Sequence, residues 1–191
     1  MTLRRIVVTG GPGAGKTSVW RELVGSHAER LVGVPEVATL LFQHVFPGVQ
    51  NLEERRSVQR AIFAVQQNLE SIHASRCARG QVLLCDRGVP DGAGYWPEGP
   101  AAFFTAMGLD WRREIERYEA VLFLETAAMG GLSIEAGNPT RSETLEAAVR
   151  VDAQLREVWR QHPNCCFVAH EAEFATKLAR GADVLRGWLD G

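Results

Sequence analysis

The sequence predicts an α/β fold, a three-layer α/β/α sandwich in which helices cover both faces of a five-stranded parallel sheet. Five short apolar runs alternate with segments of helical periodicity, and this alternation is typical of parallel strands joined by right-handed crossovers. A glycine-rich G-x-x-x-x-G-K-T sequence directly follows the first run. The length of 191 residues suits a single domain spanning residues 1–191.

The first strand and the loop after it carry the most specific signal in the chain. Residues 3–9 form a β-branched run, and residues 16–27 predict a helix. A chain that turns from a strand into a helix directs several backbone N–H groups into one concavity that favours negative charge. We therefore predict a polyphosphate site, the P-loop (residues 10–17) with the residue after it: Gly10, Gly11, Pro12, Gly13, Ala14, Gly15, Lys16, Thr17 and Ser18.

Individual P-loop residues have distinct expected roles. Its glycines allow backbone angles and close approaches that a Cβ atom would block, and Pro12 stiffens the loop. Lys16 can reach the β- and γ-phosphates of a nucleotide, and the Thr17 hydroxyl can ligate Mg²⁺. The alternative is a glycine-rich turn with a chance Lys-Thr, and the flanking strand and helix argue against it.

The second strand leads to a carboxylate. Residues 31–34 predict this strand, and a helix from Pro35 to about residue 46 follows, with Glu36 in its first turn. Glu36 can accept a proton from a substrate hydroxyl, as a general base must. An exposed glutamate stabilised by the helix dipole is an equally open interpretation.

The third strand ends in two further candidates. It is preceded by a long amphipathic helix at residues 51–80, which begins with a capping box. Residues 81–86 then form an apolar strand that ends in Asp86, and Arg87 follows. Asp86 can hold Mg²⁺, and Arg87 can bind a transferring or accepting phosphate. A solvated turn aspartate and an ordinary structural arginine are the alternatives.

The rest of the chain completes the sheet. The same criteria predict a loop at 87–99, helices at 100–107 and 110–118, a strand at 120–124, a helix from about 140 to 162, a strand at 165–169 and a helix at 171–190.

A glycine-rich segment at about 126–141 predicts a short lid before the later helix. Arg141, at its far end, could close over the γ-phosphate and neutralise developing charge, and Arg150 is a weaker second candidate. A solvated arginine is the alternative for Arg141. Tyr95 and Trp96 could stack on an acceptor ring, although packing is the favoured interpretation.

Composition excludes several classes of protein. A formal charge of −2 and a pI near 6.2 argue against a nucleic-acid binder, which usually carries a basic excess. No apolar run is long enough to cross a bilayer, and the first strand starts too early for a signal peptide. Four cysteines without a C-x-x-C pair suit buried thiols. We expect a cytoplasmic protein.

Three motifs together resemble the AAA-type ATPase-like family of small P-loop proteins: the P-loop, Pro35-Glu36-Val37-Ala38, and Asp86-Arg87-Gly-x-x-Asp91-x-x-x-Tyr95. That family is similar to nicotinamide riboside kinase domains and, more distantly, to nucleoside and nucleotide kinases. The resemblance implies a kinase-like P-loop NTPase fold that binds ATP or GTP with Mg²⁺. It also implies that Glu36, Asp86 and Arg87 lie near the acceptor and Arg141 in the lid.

Two functions remain open from the sequence. One is a kinase that transfers the γ-phosphate of ATP to a nucleoside-like or other small acceptor. The other is a regulatory or binding protein that uses bound ATP or GTP as a conformational signal. The guanine-specific N-K-x-D sequence is absent after the fourth strand, which favours the kinase. We expect no nucleic-acid or membrane partner, and the helix at 51–80 leaves a homodimer open.

Overall fold

The computed structural model describes residues 3–131 and 144–190. All five strands are parallel and belong to one sheet. They are β1 (Arg4–Thr9), β2 (Leu31–Val34), β3 (Val82–Asp86), β4 (Ala120–Leu124) and β5 (Cys165–Val168). Their order across the sheet is β2-β3-β1-β4-β5, and the predicted five-stranded α/β fold is confirmed.

Helices and, among the described residues, two 3₁₀ segments connect these strands. The described helices are α1 (Lys16–Ser26), α2 (Val37–His44), α3 (Leu52–Arg76), α4 (Pro100–Met107), α5 (Trp111–Ile115), α6 (Leu145–Trp159) and α7 (Phe174–Asp190). The 3₁₀ segments are Val89–Tyr95 and Ala127–Gly130. Among the described helices, none has the length and apolar character needed to cross a membrane.

The core consists of two apolar layers, one on each face of the sheet. Ile6 and Val8 of β1 point into the layer that includes α1 and α7, and Val7 between them points into the layer that includes α4 and α6. Successive side chains of a strand alternate between faces, so a strand covered on both sides must be apolar throughout. This requirement explains why the strands appear in the sequence as unbroken apolar runs.

Strand register brings the carboxyl ends of the central strands together. Val8 of β1 pairs with Asp86 of β3, and the N–H of Arg87 donates to the carbonyl oxygen of Val8 at 3.0 Å. On the other side of β3, Val34 pairs with Cys85. Residues that follow β1, β2 and β3 therefore lie at one edge of the sheet, where open α/β folds bind ligands.

Several predicted helix boundaries are corrected by the structure. The second helix begins at Val37, so Pro35 precedes it and Glu36 occupies the N-cap position with extended backbone angles. The long helix ends at Arg76 rather than near residue 80, because Cys77 is already extended and Gly80 has a φ of 92°. The last helix begins at Phe174, three residues later than predicted.

Side-chain caps explain where other helices begin. Asn51 accepts a hydrogen bond from the N–H of Glu54 at 2.9 Å, which confirms the predicted cap of α3. Asp110 caps α5 in the same way. Thr144 caps α6, whereas the predicted start near residue 140 lies outside the described residues.

Candidate functional site

The P-loop has the backbone geometry of an anion site. Gly10, Gly13 and Gly15 have φ values of 129°, 71° and 92°. A Cβ atom at Gly10 would lie 1.9 Å from the carbonyl oxygen of Leu124, so only glycine fits there. No side chain of the described residues caps the N terminus of α1, and its first N–H groups can therefore serve a ligand.

Lys16 lies over this loop. Its side chain is 3% exposed, and Nζ donates to the carbonyl oxygen of Gly11 at 2.7 Å. The ammonium group is thus held beside the backbone of the P-loop.

Thr17 and Asp86, the two residues that the sequence predicts as metal ligands, lie next to each other. The Thr17 hydroxyl donates to Oδ2 of Asp86 at 2.6 Å. Oδ1 of Asp86 is buried and receives no hydrogen bond from the part of the chain that the structure describes. Burial, with the nearby Glu36 carboxylate, raises the pKa of Asp86 to about 6 despite the Thr17 hydrogen bond and two cations. A hydroxyl oxygen beside an unsatisfied carboxylate oxygen is a donor set that suits Mg²⁺.

Glu36 and Arg87 form a buried ion pair beside the P-loop. Arg87 Nε donates to Oε1 of Glu36 at 2.6 Å, and the Thr39 hydroxyl donates to Oε2. Burial alone would raise the pKa of Glu36, but the attraction of Arg87 and Lys16 and the hydrogen bonds outweigh it and lower the pKa to about 2. The carboxylate is therefore ionised at neutral pH, as a general base must be.

Four other contacts orient the Arg87 guanidinium. Nη1 donates to Asp91 at 3.2 Å and to the carbonyl oxygen of Gly10 at 3.3 Å. Nη2 donates to the Tyr95 hydroxyl at 2.8 Å, and the guanidinium carbon lies 5.2 Å from the centre of the Tyr95 ring. Arg87 is thus fixed between two carboxylates, Glu36 and Asp91.

The neighbours of the Glu36–Arg87 pair have structural roles in hydrogen bonding and packing. Asp91 also accepts hydrogen bonds from Thr9 at 2.8 Å and from the indole of Trp159 at 2.7 Å, so its role in the described structure is to anchor Arg87. Tyr95 does the same through its hydroxyl. Trp96 is buried against Phe103, with ring centroids 5.8 Å apart, and packing accounts for it.

Comparison with known proteins identifies the family of this chain. A family model described as an AAA domain matches residues 5–177. The chain belongs to this AAA domain family. The expected family resemblance is thereby confirmed. No curated protein matches the sequence with statistical significance.

The AAA domain also resembles a solved nucleoside kinase in its fold. The structure of deoxyadenosine kinase from M. mycoides with bound dATP matches with a TM-score of 0.62 and covers 98% of this chain and 100% of that chain. The two sequences are 12% identical, so the likeness concerns the fold, which is that of a P-loop kinase.

The sequence did not predict two side chains that bind the P-loop, one from α6 and one from the segment after β4. Asp152 on α6 accepts hydrogen bonds from the N–H groups of Gly11 at 2.7 Å and Thr126 at 2.9 Å. The Thr126 hydroxyl donates to the carbonyl oxygen of Pro12. The available signal is an aspartate at helical spacing with the apolar residues Ala148 and Leu155, and only the fold shows its partners.

Two arginines, Arg141 and Arg150, were also predicted to act on the γ-phosphate. Arg141 lies outside the described residues, and Arg150 is exposed on α6. A narrow cleft of about 20 Å³ adjoins Arg87. It is lined by Val37, Ala38, Ile62, Phe63, Gln66, Arg87, Gly88, Val89 and Gly92. Gln66, a buried polar residue of α3, therefore lines the same cleft as Arg87.

Proposed function

We propose that this AAA domain is a small-molecule kinase that transfers the γ-phosphate of ATP to a hydroxyl group of a neutral, nucleoside-like acceptor. The observation that carries the proposal is the Glu36–Arg87 pair, which places an ionised carboxylate beside the P-loop at the carboxyl edge of the sheet. Phosphoryl transfer requires mainly positioning and charge stabilisation, and this edge offers the residues for both.

The P-loop is the proposed triphosphate site. Its backbone N–H groups and the start of α1 favour anions, and Lys16 supplies a buried positive charge next to them. Cofactor binding is proposed for Gly10, Gly11, Pro12, Gly13, Ala14, Gly15, Lys16, Thr17 and Ser18. GTP is the alternative nucleotide, and a binding assay distinguishes the two.

Thr17 and Asp86 are the proposed Mg²⁺ ligands. Their paired oxygens and the unsatisfied Oδ1 of Asp86 support this assignment. When bound, Mg²⁺ neutralises charge on the phosphates of the nucleotide. The protein's own part is to hold these two oxygens at the end of β3 and the start of α1.

Glu36 is the proposed general base. It accepts the proton of the acceptor hydroxyl as the hydroxyl oxygen forms its bond to the γ-phosphorus and the bond from that phosphorus to the β–γ bridging oxygen breaks. ADP leaves, and the acceptor becomes a phosphomonoester. Arg87 keeps Glu36 ionised and oriented through the bond to Oε1. Arg141 is proposed to approach the γ-phosphate from the lid.

The charge balance favours a hydroxyl acceptor over a phosphate acceptor. Arg87 is the charged residue among those that line the cleft, and Glu36 and Asp91 already compensate it. An acceptor phosphate would add negative charge beside two carboxylates without a free cation from the lining residues. The apolar residues of the cleft, with the Gln66 amide, suit a ring that carries hydrogen-bonding groups.

The cleft must widen to admit such an acceptor, since about 20 Å³ holds less than a single ring. Helix α2 is the wall able to move, because Val37 is its one buried residue. Induced closure of such a wall is common in kinases. We further propose that residues 1–191 act as one cytoplasmic domain, with dimerisation through α3 open to test.

The narrow cleft also favours one alternative, a nucleotide-dependent regulatory protein without a small acceptor. An acceptor screen separates the two functions. Thermal shifts with ATP, GTP and Mg²⁺ identify the nucleotide, and ADP release is then measured with nucleosides, nucleoside monophosphates, sugars and cofactors. The proposal predicts turnover with nucleosides. Nucleotide binding without turnover on any acceptor replaces the kinase with the regulatory protein.

A further inference from the structure

A fully buried carboxylate of α3 lies close to the main chain that carries Arg87. Glu70 of α3 is 0% exposed. Its Oε1 accepts hydrogen bonds from Gln66 Nε2 at 3.0 Å and from the Tyr118 hydroxyl at 2.8 Å, and its Oε2 accepts one from Arg117 at 3.2 Å. Burying a carboxylate is costly unless it is paired and hydrogen-bonded, and here three donors meet it.

Two of those donors continue to the main chain around Gly88. Gln66 Nε2 also donates to the carbonyl oxygen of Arg87 at 3.2 Å. The Tyr118 hydroxyl accepts a hydrogen bond from the N–H of Val89 at 2.9 Å. The carboxylate of Glu70 is therefore connected to the backbone immediately before and immediately after Gly88.

The backbone at this point needs such support. Arg87 has a φ of 74° and is the one non-glycine residue with positive φ among residues 3–131 and 144–190. A residue held in this left-handed region is strained and persists where its surroundings over-determine it. Gly88 permits the close approach, since a Cβ atom there would lie 2.8 Å from the Tyr118 hydroxyl.

We propose that Tyr118 and Glu70, acting with Gln66, are positioning residues that hold Arg87 in the strained conformation from which its guanidinium reaches both Glu36 and Asp91. None of the three donates to or accepts from the reacting groups proposed above. They act on phosphoryl transfer through the backbone of residues 87–89. The functional consequence rests on the proposed kinase activity, whereas the positioning itself does not.

A packing role alone explains this cluster less well. An apolar side chain at position 70 would fill the same space without the cost of burying a charge. Instead, burial raises the pKa of Glu70, and the Gln66, Arg117 and Tyr118 contacts partly offset this effect. The donors that stabilise the carboxylate are the same groups that bind the Arg87 and Val89 backbone.

The test removes one hydroxyl group. Tyr118→Phe keeps the ring and deletes the acceptor of the Val89 N–H, and Leu185→Ala is a control that weakens the opposite core layer. Amide exchange is followed for residues 86–95 and for residues 9–20. ATP affinity is measured by calorimetry, and kcat and KM are measured with ATP and deoxyadenosine as the acceptor probe.

For Tyr118→Phe we expect exchange at residues 86–95 to quicken about tenfold and kcat to fall about tenfold, because a misplaced reacting group lowers the rate steeply. Exchange at residues 9–20 and ATP affinity stay within about twofold, since the P-loop bonds are untouched. Leu185→Ala should quicken amide exchange at residues 86–95 and at residues 9–20 alike, through global unfolding, and leave kcat within about twofold.

Unchanged exchange at residues 86–95 overturns the proposal, and so does quickened exchange with unchanged kcat. If Tyr118→Phe fails to fold, Gln66→Met is measured instead by amide exchange alone, because Gln66 also lines the proposed acceptor cleft. Loss of its bond to the Arg87 carbonyl must then quicken exchange at residues 86–95 and leave residues 9–20 within about twofold. If the wild-type protein phosphorylates no acceptor, the proposed kinase function fails, and the exchange result alone then decides the positioning.

Discussion

Arg87 Nε lies 2.6 Å from Oε1 of Glu36, although 51 residues separate the two in the chain. The contact exists because β2 and β3 are neighbours whose carboxyl ends coincide. One bond thereby connects the candidate base to the residue that follows the candidate metal ligand, Asp86. It also balances, together with Asp91, the positive charge of the Arg87 guanidinium. This charge balance is the basis for proposing a neutral acceptor.

Replacing Glu36 by Gln tests the base directly. The amide keeps the size of the side chain but cannot take a proton, so kcat should fall about 100-fold or more. Binding of MgATP should stay within about twofold, because the P-loop contacts are unchanged. The exposed Glu157→Gln variant is the matched control and should keep wild-type turnover. Equal turnover in both variants removes Glu36 from the mechanism.

Lys16→Ala tests the triphosphate site. If Lys16 contacts the phosphates as proposed, loss of its buried ammonium group should weaken ATP binding about 10- to 100-fold by calorimetry. Arg21→Ala, which removes an exposed positive charge from the same helix, should bind ATP as the wild-type protein does. Equal affinities of the two variants would place the nucleotide somewhere other than the P-loop.

Asp86→Asn separates metal binding from nucleotide binding. Thermal shifts are measured with ATP alone and with ATP plus Mg²⁺. The wild-type protein should gain additional stabilisation from Mg²⁺, and the variant should lose that increment while keeping the shift from ATP alone. An intact Mg²⁺ increment in the variant argues against Asp86 as a ligand.

The lowered pKa of Glu36 has a consequence for stability in acid. Its folded pKa of about 2 lies below the ordinary value of 4.5, so the ionised carboxylate stabilises the fold above about pH 4.5. This contribution is lost as the pH falls from 4.5 towards 2.

Chemical denaturation of wild type and Glu36→Gln across this range should therefore show converging free energies of unfolding. The difference that disappears is on the order of 3 kcal/mol at most. A difference that stays constant with pH contradicts the assigned environment of Glu36.

The sequence predicts the fold and the P-loop because both rest on local patterns. Apolar runs fix the strands, and the glycines of residues 10–15 fix the turn into α1. Asp86 is predictable as well, since a polar residue that ends a buried strand must face the edge of the sheet. The positions of helix ends depend on single backbone angles, such as that of Gly80, and were less accurate.

Contacts between distant segments could not be predicted in the same way. Strand order decides that Glu36 meets Arg87, and no local pattern encodes that order. The strained backbone of Arg87 and its support by Glu70 and Tyr118 depend on three elements that meet only after folding. Asp152 reaches Gly11 across 141 residues for the same reason.

The proposed kinase requires that Glu36 and the P-loop hold an acceptor hydroxyl in line with the γ-phosphorus of ATP. The most direct measurement is a crystal structure with Mg²⁺, a non-hydrolysable ATP analogue and the nucleoside that gives the highest turnover. We expect the triphosphate in the P-loop and the hydroxyl oxygen about 3 Å from a Glu36 oxygen. A triphosphate outside the P-loop, or a nucleoside that leaves Glu36 without contact, would contradict it.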